Sequence, residues 1–249
     1  MRQRFMELQL LNTDEQLQRA RSCTARDLAA DFAASVSAFQ AYSNNEPFFD
    51  GARKPLCPVA SIHEIKRTEQ FAAILKAQGR GSVRGEPNLD FRYVERELVP
   101  ARTTAAAEYS NGQAKGKFIR FDLLLAAELP ILCELKLRHD NSSAFYALVQ
   151  LLTSMSELAT ESQRERLWRY YSPDLPDPRF ARFDLYLMFH GFNFNSKPKS
   201  EILGLTGRLA EELLLFSEIS THVRRIVMLD SKWLPQQEIE FTKIFPNLP

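Results

Sequence analysis

The amino-acid sequence predicts an α/β protein in which a mixed central sheet is flanked by helices. Segments with helical periodicity alternate with short apolar runs along the 249 residues, in the order helix, three strands, helix, strand, helix, strand. Apolar residues make up 45% of the chain and charged residues 25%, as in an ordinary globular protein. These proportions exclude a disordered, collagen-like or coiled-coil chain.

An N-terminal helical extension is expected over residues 1–60. Apolar residues recur near helical spacing over 13–42, where Thr13 can act as the N-cap with Gln16 three residues later. Residues 43–58 are rich in Pro and Asn, which favour turns and cannot continue the helix. The helix should therefore end before the main domain begins.

The main domain is expected over residues 61–249 and should open with a helix. Ser61 can cap this helix while Glu64 completes a capping box, and Gly79 is placed to end it. A strand pattern follows over 89–98.

A β-hairpin and a second helix are expected next. The apolar runs 118–126 and 129–138 are separated by only a few residues, which is typical of a hairpin. The helix should start at Ser142 or Ser143, because apolar side chains then recur at steps of three and four as far as Ala159.

Three more elements complete the predicted order. Residues 183–192 have the composition of a buried strand, Ser200 opens an amphipathic helix, and 224–233 form a last strand.

Charged residues occupy one face of the predicted hairpin. Because side chains alternate along a strand, Asp122 faces away from its apolar neighbours, and Glu134 and Lys136 do so on the next strand. The residues expected on the apolar face are Ile119, Phe121, Leu123 and Leu125 on the first strand and Ile131, Cys133, Leu135 and Leu137 on the second. Burying charged groups costs free energy unless they pair with each other or bind a metal ion.

The three charged side chains can address one small site. Glu134 and Lys136 are two residues apart, roughly 6.5 to 7 Å along a strand, and Asp122 joins them if the hairpin is in register. Two carboxylates and the backbone carbonyl of Leu135 are the kind of oxygen ligand that Mg²⁺ prefers. The ammonium group of Lys136 can then orient the attacking water or stabilise negative charge in the transition state.

This pattern resembles the PD-(D/E)XK nuclease superfamily, which has the restriction-endonuclease-like fold with an αβββαβ core. Asp122 is followed after eleven residues by Glu134-Leu135-Lys136 on the next strand and then by a helix. The resemblance covers about residues 61 to 192. It implies that Asp122 and Glu134 bind Mg²⁺ or Mn²⁺, that Lys136 is the catalytic lysine, and that the reaction is metal-dependent hydrolysis of phosphodiesters.

Two further positions are similar to the family pattern. The family often carries a Glu on its first core helix; Glu64 and Glu69 both qualify, and Glu69 is the preferred metal ligand because it lies beside apolar positions on the helical wheel. RecB-like members carry a Gln followed four residues later by Tyr on the second helix, which makes Gln150 a candidate catalytic residue, with Ser154 at the Tyr position. Phe121 stands where the family name has Pro.

Nucleic acid is the expected partner, and DNA is the predicted substrate. The formal net charge is only +1, so phosphate groups must be held by a local basic patch or a metal ion. The resemblance also admits a homodimer. Two alternatives stay open: a catalytically inactive member that binds nucleic acid or a protein partner, and a chance occurrence of the motif in another α/β protein.

A cytoplasmic location is expected. The three cysteines are an odd number without CxxC spacing, which argues against a disulfide framework and a thiolate zinc site. The first residues contain early charges and no apolar stretch of the length of a signal sequence or a membrane span, so no membrane partner is predicted.

Overall fold

The structure is a computed structural model that describes residues 1–43, 54–100, 119–138, 140, 142–176, 182–192, 194 and 196–245, with the side chains of 41–43 left aside. Its helices are α1 (Arg2–Leu8), α2 (Thr13–Ser22), α3 (Ala25–Ser43), α4 (Thr68–Gln78), α5 (Ala144–Leu158), α6 (Glu161–Tyr171), α7 (Lys197–Leu213) and α8 (Ser217–Ser220). Its strands are β1 (Arg92–Leu98), β2 (Phe121–Ala126), β3 (Pro130–Leu137), β4 (Phe183–His190), β5 (Val223–Trp233) and β6 (Ile239–Phe245).

The strands that the structure describes form one six-stranded mixed sheet in the order β1-β2-β3-β4-β5-β6. The β1–β2, β2–β3 and β5–β6 pairs are antiparallel, whereas β3–β4 and β4–β5 are parallel. Parallel neighbours need a crossover connection, which α5 and α6 provide between β3 and β4, and α7 and α8 between β4 and β5. The predicted α/β class, with a mixed sheet flanked by helices, is therefore confirmed.

Helices cover both faces of the sheet. On one face, Phe71 and Ile74 of α4 pack in a buried cluster with Leu125 of β2 and Cys133 of β3. The other face carries a larger cluster to which α5, α7 and the three N-terminal helices all contribute. The helices of the predicted N-terminal extension thus share their core with the sheet.

The N-terminal helices differ from the single helix expected over 13–42. The helix begins at Thr13, as predicted, but its N-cap is Asn12 and not Thr13: the Asn12 side chain accepts the backbone N–H groups of Asp14 and Glu15, and the Glu15 carboxylate accepts the N–H of Asn12. It is then interrupted at Thr24, whose hydroxyl accepts the N–H of Asp27 and starts α3. Helix α1 was not predicted.

The helix expected from Ser61 begins seven residues later, at Thr68. The Ser61 hydroxyl donates to the carbonyl of Pro58 within a 3₁₀ turn, so it does not cap the helix. The Gln70 side chain instead accepts the backbone N–H groups just before the helix. The helix stops at Gly79, as predicted, where φ is +78° and glycine is favoured.

Later elements follow the prediction more closely. The hydroxyl of Ser143 accepts the N–H of Tyr146 and caps α5, which confirms one of the two predicted starts. The helix expected from Ser200 already begins at Lys197, and neither α6 nor β6 was predicted. Over the described stretches, no helix combines the length and the apolar character needed to cross a bilayer.

Candidate functional site

The predicted site lies where the pairing between β2 and β3 stops. The regular β2–β3 ladder ends at the pair Leu123 and Cys133, while β2 stays paired with β1 as far as Phe121. Beyond the ladder, the backbone N–H of Leu135 donates to the carboxylate of Asp122 at 2.9 Å instead of to a strand carbonyl. A side chain of the predicted site therefore replaces a ladder hydrogen bond at this end of the hairpin.

One consequence is that the alternation of faces along β2 holds only in part. Leu123 and Leu125 pack on the α4 side, as predicted. Ile119 and Phe121 pack in the opposite cluster together with Leu124, so the prediction that they share the apolar face is wrong. The regular twofold alternation of a strand does not extend to residues beyond the end of the β2–β3 ladder.

Asp122, Glu134 and Lys136 line one cavity, together with Leu135. Continuing the ladder by one step would place Asp122 directly opposite Glu134. The Lys136 ammonium donates to Oε1 of Glu134 at 2.7 Å, and the exposed fractions of these two side chains are only 7% and 2%. The structure therefore brings together the three charged residues that the sequence singled out.

The second oxygen of Glu134 has no hydrogen-bond donor. Oε2 is buried and receives no N–H or O–H donor among the described residues, and a hydrogen bond between Glu134 and Asp122 requires a proton on one of the two carboxyl groups. Burial, followed by the negative charge of Asp122, raises the pKa of Glu134 well above its usual value, and the Lys136 ammonium only partly opposes this. A buried carboxylate oxygen without a donor is costly unless a proton or a cation occupies it.

The pKa of Asp122 is also raised, but less strongly than that of Glu134. Burial raises its pKa, while the charge of Lys136 and the N–H of Leu135 act in the opposite direction. The raised pKa values mean that these two neighbouring carboxyl groups tend to retain a proton. A divalent cation at the same place could replace that proton.

Lys136 is held as a cation between these groups. Burial alone would lower its pKa, but the charges of Glu134 and Asp122 and the hydrogen bond to Glu134 outweigh burial, so its pKa is raised. Its ammonium nitrogen also lies 5.2 Å from the ring centroid of Tyr146, within cation–π range.

The cavity around these residues has a volume of about 720 Å³. Phe5 and Gln9 of the N-terminal region form part of its wall, and Tyr146 and Gln150 of α5 form another part. Its edge also carries Lys66, Arg67 and Thr68 at the start of α4, Glu97 at the end of β1, Arg120 before β2 and Asp140 after β3.

Gln150 lies in this cavity but is engaged with the backbone. Its side-chain amide donates to the carbonyl of Arg120 at 2.7 Å, two residues before Asp122. Gln150 is 8% exposed. In this position it fixes the chain that carries the first carboxylate.

Glu69 is not brought to the two carboxylates. It lies in the first turn of α4 and is partly exposed. The cavity wall nearest to it is formed by the preceding residues Lys66, Arg67 and Thr68, and Glu69 does not line the cavity. Because α4 starts at Thr68 and not at Ser61, the residues before 68 do not continue the helical face on which Glu69 was predicted to lie.

Other cavity residues were not recognised from the sequence. Tyr146 and Gln150 are four residues apart on one helix, so the face that suggested Gln150 also contained the signal for Tyr146. Asp140 accepts the N–H of Leu137 at 2.7 Å just after β3, which is visible only in three dimensions. Glu97 has φ of +51°, which is unusual for a residue other than glycine.

The donor set suits a hard divalent ion that keeps several water molecules. Within the described ranges, no cluster of three or more His, Cys, Asp or Glu side chains is arranged for metal binding. Asp122, Glu134 and the carbonyl of Leu135 would supply two carboxylates and one backbone oxygen. Mg²⁺ is commonly bound by one or two carboxylates with water and substrate oxygens completing its octahedron.

Comparison with protein-family models, with curated proteins and with solved structures finds no match for this chain.

Proposed function

We propose that this chain is a divalent-metal-dependent nuclease of the PD-(D/E)XK type that hydrolyses phosphodiester bonds of DNA. The observation that carries the proposal is the convergence of Asp122, Glu134 and Lys136 at the end of the β2–β3 ladder. The order α4-β1-β2-β3-α5-β4 agrees with the αβββαβ core of a restriction-endonuclease-like fold. The proposal therefore has support from both the element order and the side-chain chemistry.

Asp122, Glu134 and the carbonyl of Leu135 would hold Mg²⁺ or Mn²⁺. The donorless, buried Oε2 of Glu134 beside a second carboxyl group supports this assignment. When bound, the ion would polarise the phosphoryl oxygen and lower the pKa of a water molecule.

The neighbouring side chains have separable tasks. The Lys136 ammonium supplies a fixed positive charge where negative charge develops on the phosphoryl oxygens. The Tyr146 ring and the carboxylate of Glu134 hold that ammonium in place. Gln150 acts as a positioning residue through the Arg120 carbonyl and does not require contact with the substrate.

Exposed cations at the cavity edge support a phosphate-bearing substrate. Lys66, Arg67 and Arg120 all line the cavity and are exposed to solvent. Contacts of this type orient nucleic acid through its backbone. Two of them also pair with acids, Lys66 with Glu64 at 2.9 Å and Arg120 with Glu97 at 3.8 Å, so a phosphate would compete with these carboxylates.

A binding protein without catalytic activity is the second candidate. It is favoured by the absence of a third metal-ligating side chain among the described residues and by the direct ion pair of Lys136 with Glu134. Such a protein would keep the fold and the basic cavity edge and would bind nucleic acid without cutting it.

Incubation of the purified protein with plasmid and linear DNA in Mg²⁺, Mn²⁺ or EDTA tests the proposal. We expect cleavage that depends on the metal and that Lys136→Ala lowers by at least about a hundredfold, because a charge-stabilising group is lost. Lys76→Ala, in the exposed last turn of α4, is the matched control and should leave cleavage unchanged.

The other results of this experiment are equally informative. Unchanged cleavage by Lys136→Ala would place the activity at another site or in a contaminant. Retention of DNA in a gel-shift assay, without cleavage in any metal, would favour the binding protein.

We also infer a reducing, cytoplasmic location, since Cys23, Cys57 and Cys133 are all unpaired. A homodimer stays a prediction, and light scattering would test it.

A further inference from the structure

We propose that α1 limits this site to single-stranded DNA. The inference rests on the proposed nuclease function and adds the class of substrate. It follows from how deeply the charged residues lie, from the size of the cavity above them, and from the way the wall of that cavity is anchored.

The reacting groups lie at the bottom of the cavity. The side chains of Glu134 and Lys136 are only 2% and 7% exposed. A phosphodiester can reach them only by entering the cavity, because little of either side chain is accessible from the protein surface. A substrate whose phosphates stay outside would not contact them.

The cavity is too narrow for a double helix. A cavity of about 720 Å³ that is open to solvent cannot enclose a double helix, whose major groove alone is about 12 Å wide. A single strand can enter more easily than a duplex because no second strand has to be accommodated, and its bases can turn away from the backbone. Enzymes whose reacting groups lie inside such a pocket act on single strands or must first extrude a nucleotide from the duplex.

The wall formed by α1 is anchored at two points. The Phe5 ring stacks on Tyr146 with a centroid distance of 5.3 Å and an interplanar angle of 28°. Farther along α5, Arg2 pairs with the buried carboxylate of Glu157 at 3.4 Å.

The same contacts link the cavity wall to the charged residues. Tyr146 contacts both the wall and the Lys136 ammonium, so a displacement of α1 would disturb Lys136 as well. The wall is therefore a fixed boundary of the cavity. The exposed cations Lys66, Arg67 and Arg120 at its edge are placed to contact the phosphates of a strand that enters it.

The test compares three substrates in Mn²⁺: a labelled oligothymidylate, the same strand annealed to its oligoadenylate complement, and bis(p-nitrophenyl) phosphate as a small phosphodiester. We expect the single strand to be cut at least about a hundredfold faster than the duplex, because base pairs must first be opened and unstacked. Equal rates on single strand and duplex would overturn the size limit and leave the proposed nuclease function intact. Failure to cleave any of the three would overturn both.

A pair of variants tests whether α1 is the boundary. Gln9→Ala shortens an exposed side chain that lines the cavity next to α1, which widens the entrance there and should raise the ratio of duplex to single-strand cleavage. Gln3→Ala, an exposed residue of α1 outside the cavity, should leave the ratio unchanged. Thermal unfolding checks that both variants are folded, and the same ratio in both would show that α1 does not set the limit.

Discussion

Under the proposed function, Glu134 would be subject to opposite requirements in the metal-free and the metal-bound protein. Without an ion, its buried carboxylate lies beside Asp122 and leaves Oε2 without a donor, which costs stability. In the proposed metal-bound form, the same oxygen would be a ligand. The stability lost in the metal-free protein would then be recovered on metal binding.

Replacement of Glu134 by Gln should separate these two effects. We expect Glu134→Gln to be at least as heat-stable as the wild type in EDTA, because the amide is neutral and its oxygen can still accept from Lys136. Mn²⁺ should raise the melting temperature of the wild type but not of the variant, since only a bound ligand stabilises the folded state.

Differential scanning fluorimetry with and without Mn²⁺ measures both quantities. Glu128→Gln is the matched control, because Glu128 is 81% exposed and lies outside the cavity. An equal Mn²⁺ shift in Glu134→Gln and the wild type would contradict the assignment of Glu134 as a ligand.

At the scale of secondary-structure elements, the docking of α1 on α5 depends on a buried acid. Burial raises the pKa of Glu157 to about 7, and the charge of Arg2 only partly opposes this. One oxygen of Glu157 has no donor among the described residues. The contact between the two helices should therefore respond to pH.

The free energy of unfolding should fall as the pH rises from about 4.5 to about 7, because the folded state then holds a proton that the unfolded state has lost. The full effect is about 3 kcal/mol at 1.36 kcal/mol for each pKa unit. Glu157→Gln should lack this component, so its stability relative to the wild type should increase with pH. Urea titrations across this pH range measure the difference, and parallel pH profiles would contradict the prediction.

The packing of α7 against β6 provides a second element-scale test. A Cβ atom on Gly207 would lie 2.7 Å from the ring of Phe245, whereas a Cβ on Gly204 would approach nothing closer than 4.0 Å. Gly207→Ala should therefore destabilise the protein by about 1 to 3 kcal/mol through overpacking.

Gly204→Ala, on the exposed side of the same helix, is the matched control and should stabilise the protein by up to about 1 kcal/mol. Chemical denaturation of both variants measures the two changes. If both Gly207→Ala and Gly204→Ala stabilise the protein, the Phe245 ring moves away from the added methyl group at little cost.

At the scale of the whole molecule, the sequence predicted those features that depend on two strands adjacent in the chain. Asp122, Glu134 and Lys136 come together because alternation along a strand and a short connection between two strands are both local properties. The charges stand out there because the surrounding runs are apolar. The same local reasoning placed the start of α5 at Ser142 or Ser143, and Ser143 is its N-cap.

The remaining features depend on one unrecognised cap and on contacts between distant parts of the chain. The cap is the Gln70 side chain, which starts α4 at Thr68 and not at the first Ser of the segment; Glu69, in the first turn of this helix, does not line the cavity. Helix α1 is only seven residues long, too short for a periodic signal, and it is held by its packing on α5. Strand β6 mixes apolar and charged residues, so its pairing with β5 decides its structure.

The coincidence of strand order with chain order has a consequence for synthesis on the ribosome. Every strand of the described sheet after β1 pairs with the strand that precedes it in the chain, so each of these strands meets a partner that has already emerged. Domains can fold while their amino-terminal part is complete and the rest is still being made. In this protein the edges formed by β2, β3, β4 and β5 would each be exposed only until the next strand is translated, which shortens the time in which a nascent chain could associate with another through an open edge.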